Sequence, residues 1–218
     1  MIDLHTHTFF SDGELVPTEL IRRASVAGYT AIAITDHADK SNTRWLLDNI
    51  VGVVDEIGAA NSIQVLAGVE LTHVPPQSII DVVQLARDNG AEIVLVHGES
   101  IVDMVMPGTN LAAINAGVDI LAHPGLITEE EAALAAEKGV YLEITTRKGN
   151  SLTNGHVLRL AEKFGAKLVI NNDAHAPGDI LSPELVHKIA LGCGMSEKQF
   201  QQAQQNSADL VAKAKGHR

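Results

Sequence analysis

Short apolar runs alternate with longer stretches of helical period from one end of this chain to the other. Residues 2–8 read as a first strand. A helix over 17–28 follows, with Pro17 at its start, Gly28 at its end and Leu20, Ile21, Ala24 and Ala27 along one face. The pattern then repeats. Strands are predicted over 30–35, 63–71, 92–96, 118–122, 140–145 and 167–170, and one helix is predicted over 41–60. Further helices run from Pro75-Pro76 to Gly90, over 111–117, from Thr128 to Gly139 and over 155–165. Thr128-Glu-Glu-Glu131 and Ser196-Glu-Lys-Gln199 are capping-box patterns, and the tail from Ser182 reads as two or three helices. Strand–helix alternation with short connections implies a parallel sheet covered by helices. Seven units in about 180 residues suit a barrel, although periodicity does not separate a barrel from an open doubly wound sheet. No linker or repeat divides the chain, so residues 1–218 are expected to form one domain.

Polar residues interrupt this pattern at particular places. His5 and His7 stand two apart on an extended segment, so both imidazoles face the same side and can reach one metal ion. His5, Asp36, Glu70, His97, His123, Glu143 and Asp173 are separated by 31, 34, 27, 26, 20 and 30 residues. Each gap is about one strand-plus-helix unit. Most of these residues close their strands, which places them on the rim where parallel barrels and open sheets both build their sites. Imidazole and carboxylate without cysteine suit Zn²⁺, Mn²⁺ or Fe²⁺ in open, catalytic coordination. His5, His7, Asp12, His37, Glu70, His97, His123, Asp173 and His175 are too many for one ion; two or three ions sharing a bridging carboxylate would use them all.

Composition narrows the partners. Net charge is −11 and aromatics make up 3 %, which argues against a broad nucleic-acid footprint or an anionic membrane surface. Cys193 is the only cysteine, and neither a secretory signal nor a run able to span a bilayer is visible, so a cytoplasmic protein is expected.

The motifs Asp3-Leu-His-Thr-His7, Ser11-Asp-Gly13, Thr35-Asp-His37, Gly68-Val-Glu70, His97, Ala122-His-Pro124 and Asn172-Asp-Ala-His175 together resemble those of the PHP (polymerase and histidinol phosphatase) superfamily. The resemblance runs from residue 2 to about 175. It implies a distorted (β/α)7 barrel, a trinuclear metal centre and phosphoester hydrolysis. By the same resemblance His5, His7, Glu70 and Asp173 hold a first ion. Glu70 bridges to a second ion held by His97 and His123, and Asp12, His37 and His175 hold a third. Some relatives carry histidine where this chain has Asp12; the carboxylate favours a harder ion there.

The implied reaction is direct attack on phosphorus by a metal-bridging hydroxide, with no covalent nucleophile on the protein. Arg147 and Lys148, in the loop after the sixth predicted strand, are candidate phosphate contacts. Asp36 is a candidate orienter of an imidazole. Glu99, His73 and His156 lie near strand ends or a helix start, and His187 and His217 receive no role. The expected activity is a phosphomonoesterase acting on a small phosphorylated metabolite, histidinol-phosphate-like or nucleotide-like. A phosphodiesterase or exonuclease acting on nucleic-acid ends is the enzymatic rival. A non-catalytic scaffold subunit is the rival from another class. Specificity is expected in the loops after the third, fourth and sixth predicted strands.

Overall fold

The computed structural model describes residues 1–216; His217 lies outside them. The element order is β1 (Ile2–Asp3), α1 (Pro17–Val26), β2 (Ala31–Ile34), β3 (His37–Ala38), α2 (Thr43–Ile50), α3 (Val54–Asn61), β4 (Gln64–Leu71), α4 (Ile79–Asp88) and β5 (Ile93–His97). It continues with α5 (Thr109–Ala116), β6 (Ile120–Ala122), α6 (Glu129–Lys138), β7 (Tyr141–Thr145), α7 (Asn154–Phe164), β8 (Leu168–Asn171), α8 (Pro183–Gly192) and α9 (Glu197–Lys215). All ladders are parallel in the order β1-β2-β4-β5-β6-β7-β8. β3 continues the line of β2 along β4, so the eight strands make seven staves.

The first and last staves are joined by single contacts instead of a full ladder. Thr6 and Ala174 form a parallel bridge, His7 N donates to Ala174 O at 2.9 Å, and Leu4 N donates to Asn171 Oδ1 at 2.8 Å. The result is a nearly closed, distorted barrel. This resolves the open-sheet alternative in favour of the barrel. Among the described residues no helix is long and apolar enough to cross a membrane.

Alternation along each strand positions the site. Leu66 on β4, Ile93 and Leu95 on β5, Tyr141 on β7 and Val169 on β8 share an interior cluster. Two residues further along the same faces come Glu70 (beyond Gly68), His97, Glu143 and Asn171. The apolar interior therefore ends in an ionisable layer at the carboxyl ends of the strands. Residues of opposite parity, such as Val69, Val94, Leu142 and Ile170, pack outward under the helices. At the other end α9 plugs the barrel with Leu210, Val211 and Ala214, which join the interior cluster.

Helix boundaries follow local chemistry. Thr128 and Glu131 form the anticipated reciprocal capping box on α6, Ser196 and Gln199 do so on α9, and Gly139 ends α6 in the left-handed region. The single helix predicted over 41–60 is instead two. The chain breaks after Ile50, around Gly52, a weak helix former. Leu46 and Leu47 of α2 pack in one outer cluster, whereas Ile50 and Val54 pack in another, so the break lets the chain turn around the barrel wall.

Candidate metal centre

All nine side chains proposed as metal ligands converge around the barrel mouth. Glu70 is wholly buried and central. Its Oε1 lies 3.2 Å from His5 Nε2 and 3.6 Å from His123 Nε2; its Oε2 lies 2.8 Å from His37 Nδ1 and 3.6 Å from His7 Nε2. Asp173 Oδ1 lies 3.2 Å from His7 Nε2 and 3.5 Å from His5 Nε2, and its Oδ2 lies 3.6 Å from His123 Nε2. Asp12 Oδ1 stands 3.2 Å from His175 Nε2 and 3.4 Å from His37 Nε2. These contacts group as His5-His7-Glu70, His5-His123-Asp173, Glu70-His97-His123 and His7-Asp12-His37-His175. His7 thus stands between two of the three ligand sets the resemblance implies.

Two of these residues sit in strained backbone. His123 (φ 25°) and Asp173 (φ 53°) both occupy the positive-φ region that side chains avoid, at the ends of β6 and β8. The turn that aims each side chain inward carries that cost.

Glu143 and Asp36 have different jobs from one another. Glu143 Oε1 lies 2.9 Å from His5 Nδ1 and accepts from Asn171 Nδ2 at 2.7 Å, while Oε2 accepts from His123 N at 3.0 Å. It therefore fixes the His5 ring with Nε2 turned toward Glu70 and Asp173. Asp36 touches no imidazole by hydrogen bond. It accepts from Thr8 N, Thr8 Oγ1 and Ser11 Oγ at 2.6–2.7 Å and so shapes the loop that carries Asp12. The imidazole-orienting role expected of Asp36 belongs to Glu143, whose position within β7, facing inward, was visible in the spacing but carried no motif.

The electrostatics demand positive charge. Burial opposes ionising Glu70, but His5 and His37 overcome it and hold its carboxyl well below the usual range. Burial also opposes charging His5, yet Glu143, Glu70 and Asp173 raise its pKa. Burial and the neighbouring His37 keep His7 neutral, and burial with His97 holds His123 down to about 4. Burial pushes Asp173 up to about 7, opposed by His5 and reinforced by Glu70.

Divalent cations fit this donor set. Both ring nitrogens of His7, His5 Nε2, His123 Nδ1, Glu70 Oε1 and Asp173 Oδ1 are buried without a hydrogen-bond partner. Unsatisfied buried polar atoms are costly, and neutral imidazoles beside carboxylates are the form metal ions bind. The sign of the pH effect follows. Metal binding must displace protons from Asp173, from His5, whose pKa its carboxylate neighbours raise, and from His37, which Asp12 and Glu70 raise to about 10 against the effect of burial. Apparent affinity for Mn²⁺ should therefore fall by about tenfold or more per pH unit between pH 8 and 6, with proton release on binding. Calorimetric titration in buffers of different ionisation enthalpy measures both. In the same assay Glu143→Gln should weaken metal binding by about 10–100-fold, because an amide N–H would oppose His123 N–H and the charge behind His5 would be lost.

A cavity of about 320 Å³ opens above these residues. It is lined by Asp12, His37, His97, Asp173 and His175 and also by Thr72, His73, Asp103, Arg147 and Asn150. Arg147 Nη1 donates to Asp173 O at 3.1 Å, and its Nε lies 3.5 Å from Asp173 Oδ2. Lys148 is exposed and is not part of this lining. Glu99 instead accepts from Gly108 N and Asn110 N at the start of α5, and His156 Nε2 bonds Ile127 O. His187 pairs with Glu197 in the tail. Asp103 escaped the sequence reading because its loop has neither periodicity nor motif. A larger hollow of about 720 Å³ at the opposite end holds Arg87, Asp119 and Lys213, whose charges are already paired with each other.

Comparison with known proteins agrees with this geometry. A family model described as the PHP domain matches residues 3–107. An uncharacterized protein of Methanocaldococcus jannaschii is 49 % identical over 91 % of this chain and 92 % of its own length. Ribonuclease P protein component 3 of Methanosarcina mazei is 30 % identical over 85 % of this chain and 78 % of its own. The chain belongs to the PHP family. A further PHP relative, a probable phosphatase of Thermoanaerobacter sp., is 26 % identical over 90 % of the chain and 88 % of its own length. Two examples illustrate the solved structures that share the fold. One is an archaeal ribonuclease P with mature tRNA (TM-score 0.75, 20 % identity, 99 % of this chain and 92 % of the other). The other is histidinol phosphate phosphatase of Lactococcus lactis with zinc, L-histidinol and phosphate (TM-score 0.63, 17 % identity, 89 % and 94 %).

Proposed function

We propose that this PHP-family chain is a metal-dependent phosphomonoesterase acting on a small phosphorylated metabolite. The observation that carries the reading is the convergence of six histidines with Asp12, Glu70 and Asp173, buried atoms of His5, His7, His123, Glu70 and Asp173 lacking hydrogen-bond partners, beneath a cavity bordered by Arg147. His5, His7, Glu70 and Asp173 would hold one ion, Glu70, His97 and His123 a second, and Asp12, His37 and His175 a third. Zn²⁺, Mn²⁺ or Fe²⁺ suits such a set. When bound, such ions supply charge neutralisation and lower the pKa of water at the site.

The chain's own residues supply position. Glu143 fixes the His5 tautomer, and Arg147 offers N–H donors to phosphoryl oxygens at the cavity wall. Among the described residues no serine or cysteine lines the cavity, which supports hydrolysis without a covalent enzyme intermediate. A cytoplasmic location accords with this chemistry and with the single cysteine.

A second reading is a non-catalytic subunit of a ribonucleoprotein, favoured by the 30 % identity to a ribonuclease P component. The net charge of −11 and the full ligand set weigh against it. The test is phosphate release from a panel of monoesters by Mn²⁺-loaded protein, run beside a short oligonucleotide. Inorganic phosphate from monoesters supports the proposal, nucleotide products from the oligonucleotide support the exonuclease rival, and RNA binding with no product supports the scaffold.

A further inference from the structure

Asp103 is a carboxylate of the cavity lining that belongs to none of the four candidate ligand groups. It lies in the loop between β5 and α5, with Oδ2 3.6 Å from His97 Nε2. That loop is pinned at several points. Ser100 Oγ donates to Asn150 Oδ1 at 2.7 Å, Glu99 N donates to Asn110 Oδ1 at 2.9 Å, and Glu99 Oε1 accepts from Gly108 N at 2.9 Å. The carboxylate is thus held at the mouth, beside the His97 imidazole, by contacts on both flanks of its loop.

The cavity has little to offer a second anionic group. Apart from candidate metal ligands, the positive lining residue is Arg147, which already faces Asp173 and Asp179. Asp103, His73, Thr72 and Asn150 make up the remaining wall. Thr72 Oγ1 is engaged with His37 Nδ1 at 2.6 Å. A leaving alcohol bearing a carboxylate or a second phosphate would bring like charge against Asp103, and among the described residues the wall beyond the candidate metal ligands sets only the already paired Arg147 against it. A neutral or cationic alcohol would find an acceptor there.

Resting on the phosphomonoesterase reading, we propose that Asp103 is a specificity-determining residue that restricts the site to monoesters whose leaving group carries no negative charge. Nucleoside bisphosphates and phosphorylated nucleic-acid ends fall outside that class.

The test uses the full-length, Mn²⁺-loaded protein hydrolysing para-nitrophenyl phosphate. Three competitors of similar size are compared: 2-phosphoglycolate (anionic leaving group), 2-hydroxyethyl phosphate (neutral) and phosphoethanolamine (cationic). In wild type, 2-phosphoglycolate should compete at least about tenfold more weakly than the other two. Asp103→Asn should bring the three together, and Asp103→Lys should reverse the order, with metal content unchanged in both. Equal competition in wild type, no competition by any of the three, or an order that both variants leave intact overturns the role of Asp103. Loss of metal in Asp103→Asn also overturns it, since the carboxylate would then serve the ions. If wild type does not hydrolyse para-nitrophenyl phosphate at all, the phosphomonoesterase reading itself fails.

Discussion

Glu70→Gln should lower kcat on any monoester the protein hydrolyses by about 10²–10³-fold, the scale of removing one electrostatic element from a preorganised site. Four imidazoles, those of His5, His7, His37 and His123, lie within 2.8–3.6 Å of its two oxygens. The amide keeps the volume but loses the charge and one acceptor, so it would hold divalent cations less well. It also places an N–H against nitrogens that must present lone pairs. His5 and His37 would each lose one of the carboxylates that raise their pKa, leaving Glu143 beside His5 and Asp12 beside His37. Steady-state kinetics at saturating Mn²⁺, beside a thermal melt to show that the fold persists, measures this. Loss of only a few-fold would mean that Glu70 is a buried structural carboxylate.

Gly125→Ala should have the largest effect on stability, about 3 kcal/mol or more. Gly125 has φ +61°, and a Cβ there would stand 1.9 Å from the carbonyl oxygen of Glu99 and 2.8 Å from its carbon. Two pieces of backbone meet there, so no side chain can rotate away. The contact joins the loop after β6, two residues beyond His123, to the loop after β5, two residues beyond His97. Relieving the clash would separate two candidate ligands of the same ion, so metal affinity should fall with stability. Gly139→Ala is the control. It has φ +71° but nothing within 4 Å of the new Cβ, so only the left-handed backbone cost of about 1–2 kcal/mol applies. Urea midpoints at constant m-value compare the two. Equal losses would show that the loop–loop contact is not tight.

How far the sequence revealed this molecule depended on whether a feature was periodic. Strand and helix alternation placed every barrel stave, because each has its own apolar run, and unit spacing of His5, Glu70, His97, His123 and Asp173 located the rim. The motifs brought Asp12, His37 and His175 to the same mouth. Three features were not legible. The break between α2 and α3 depends on which neighbouring cluster each turn packs into, which local pattern does not encode. The roles of Asp36 and Glu143 are distinguishable only in three dimensions, since both are buried carboxylates, Asp36 between β2 and β3 and Glu143 within β7, and of the two it is Glu143 that bonds an imidazole. The cavity wall came from irregular loops, so Asp103 and Thr72 went unnoticed and Arg147 could not be separated from its neighbour Lys148.

Several divalent cations are expected at the barrel mouth. Elemental analysis of protein freed of any affinity tag and purified with no chelator tests this directly. Wild type should hold two to three equivalents of Zn, Mn or Fe per chain, and His123→Ala fewer. Well under one equivalent after metal supplementation would contradict that expectation, and the ribonucleoprotein-subunit reading would then take precedence.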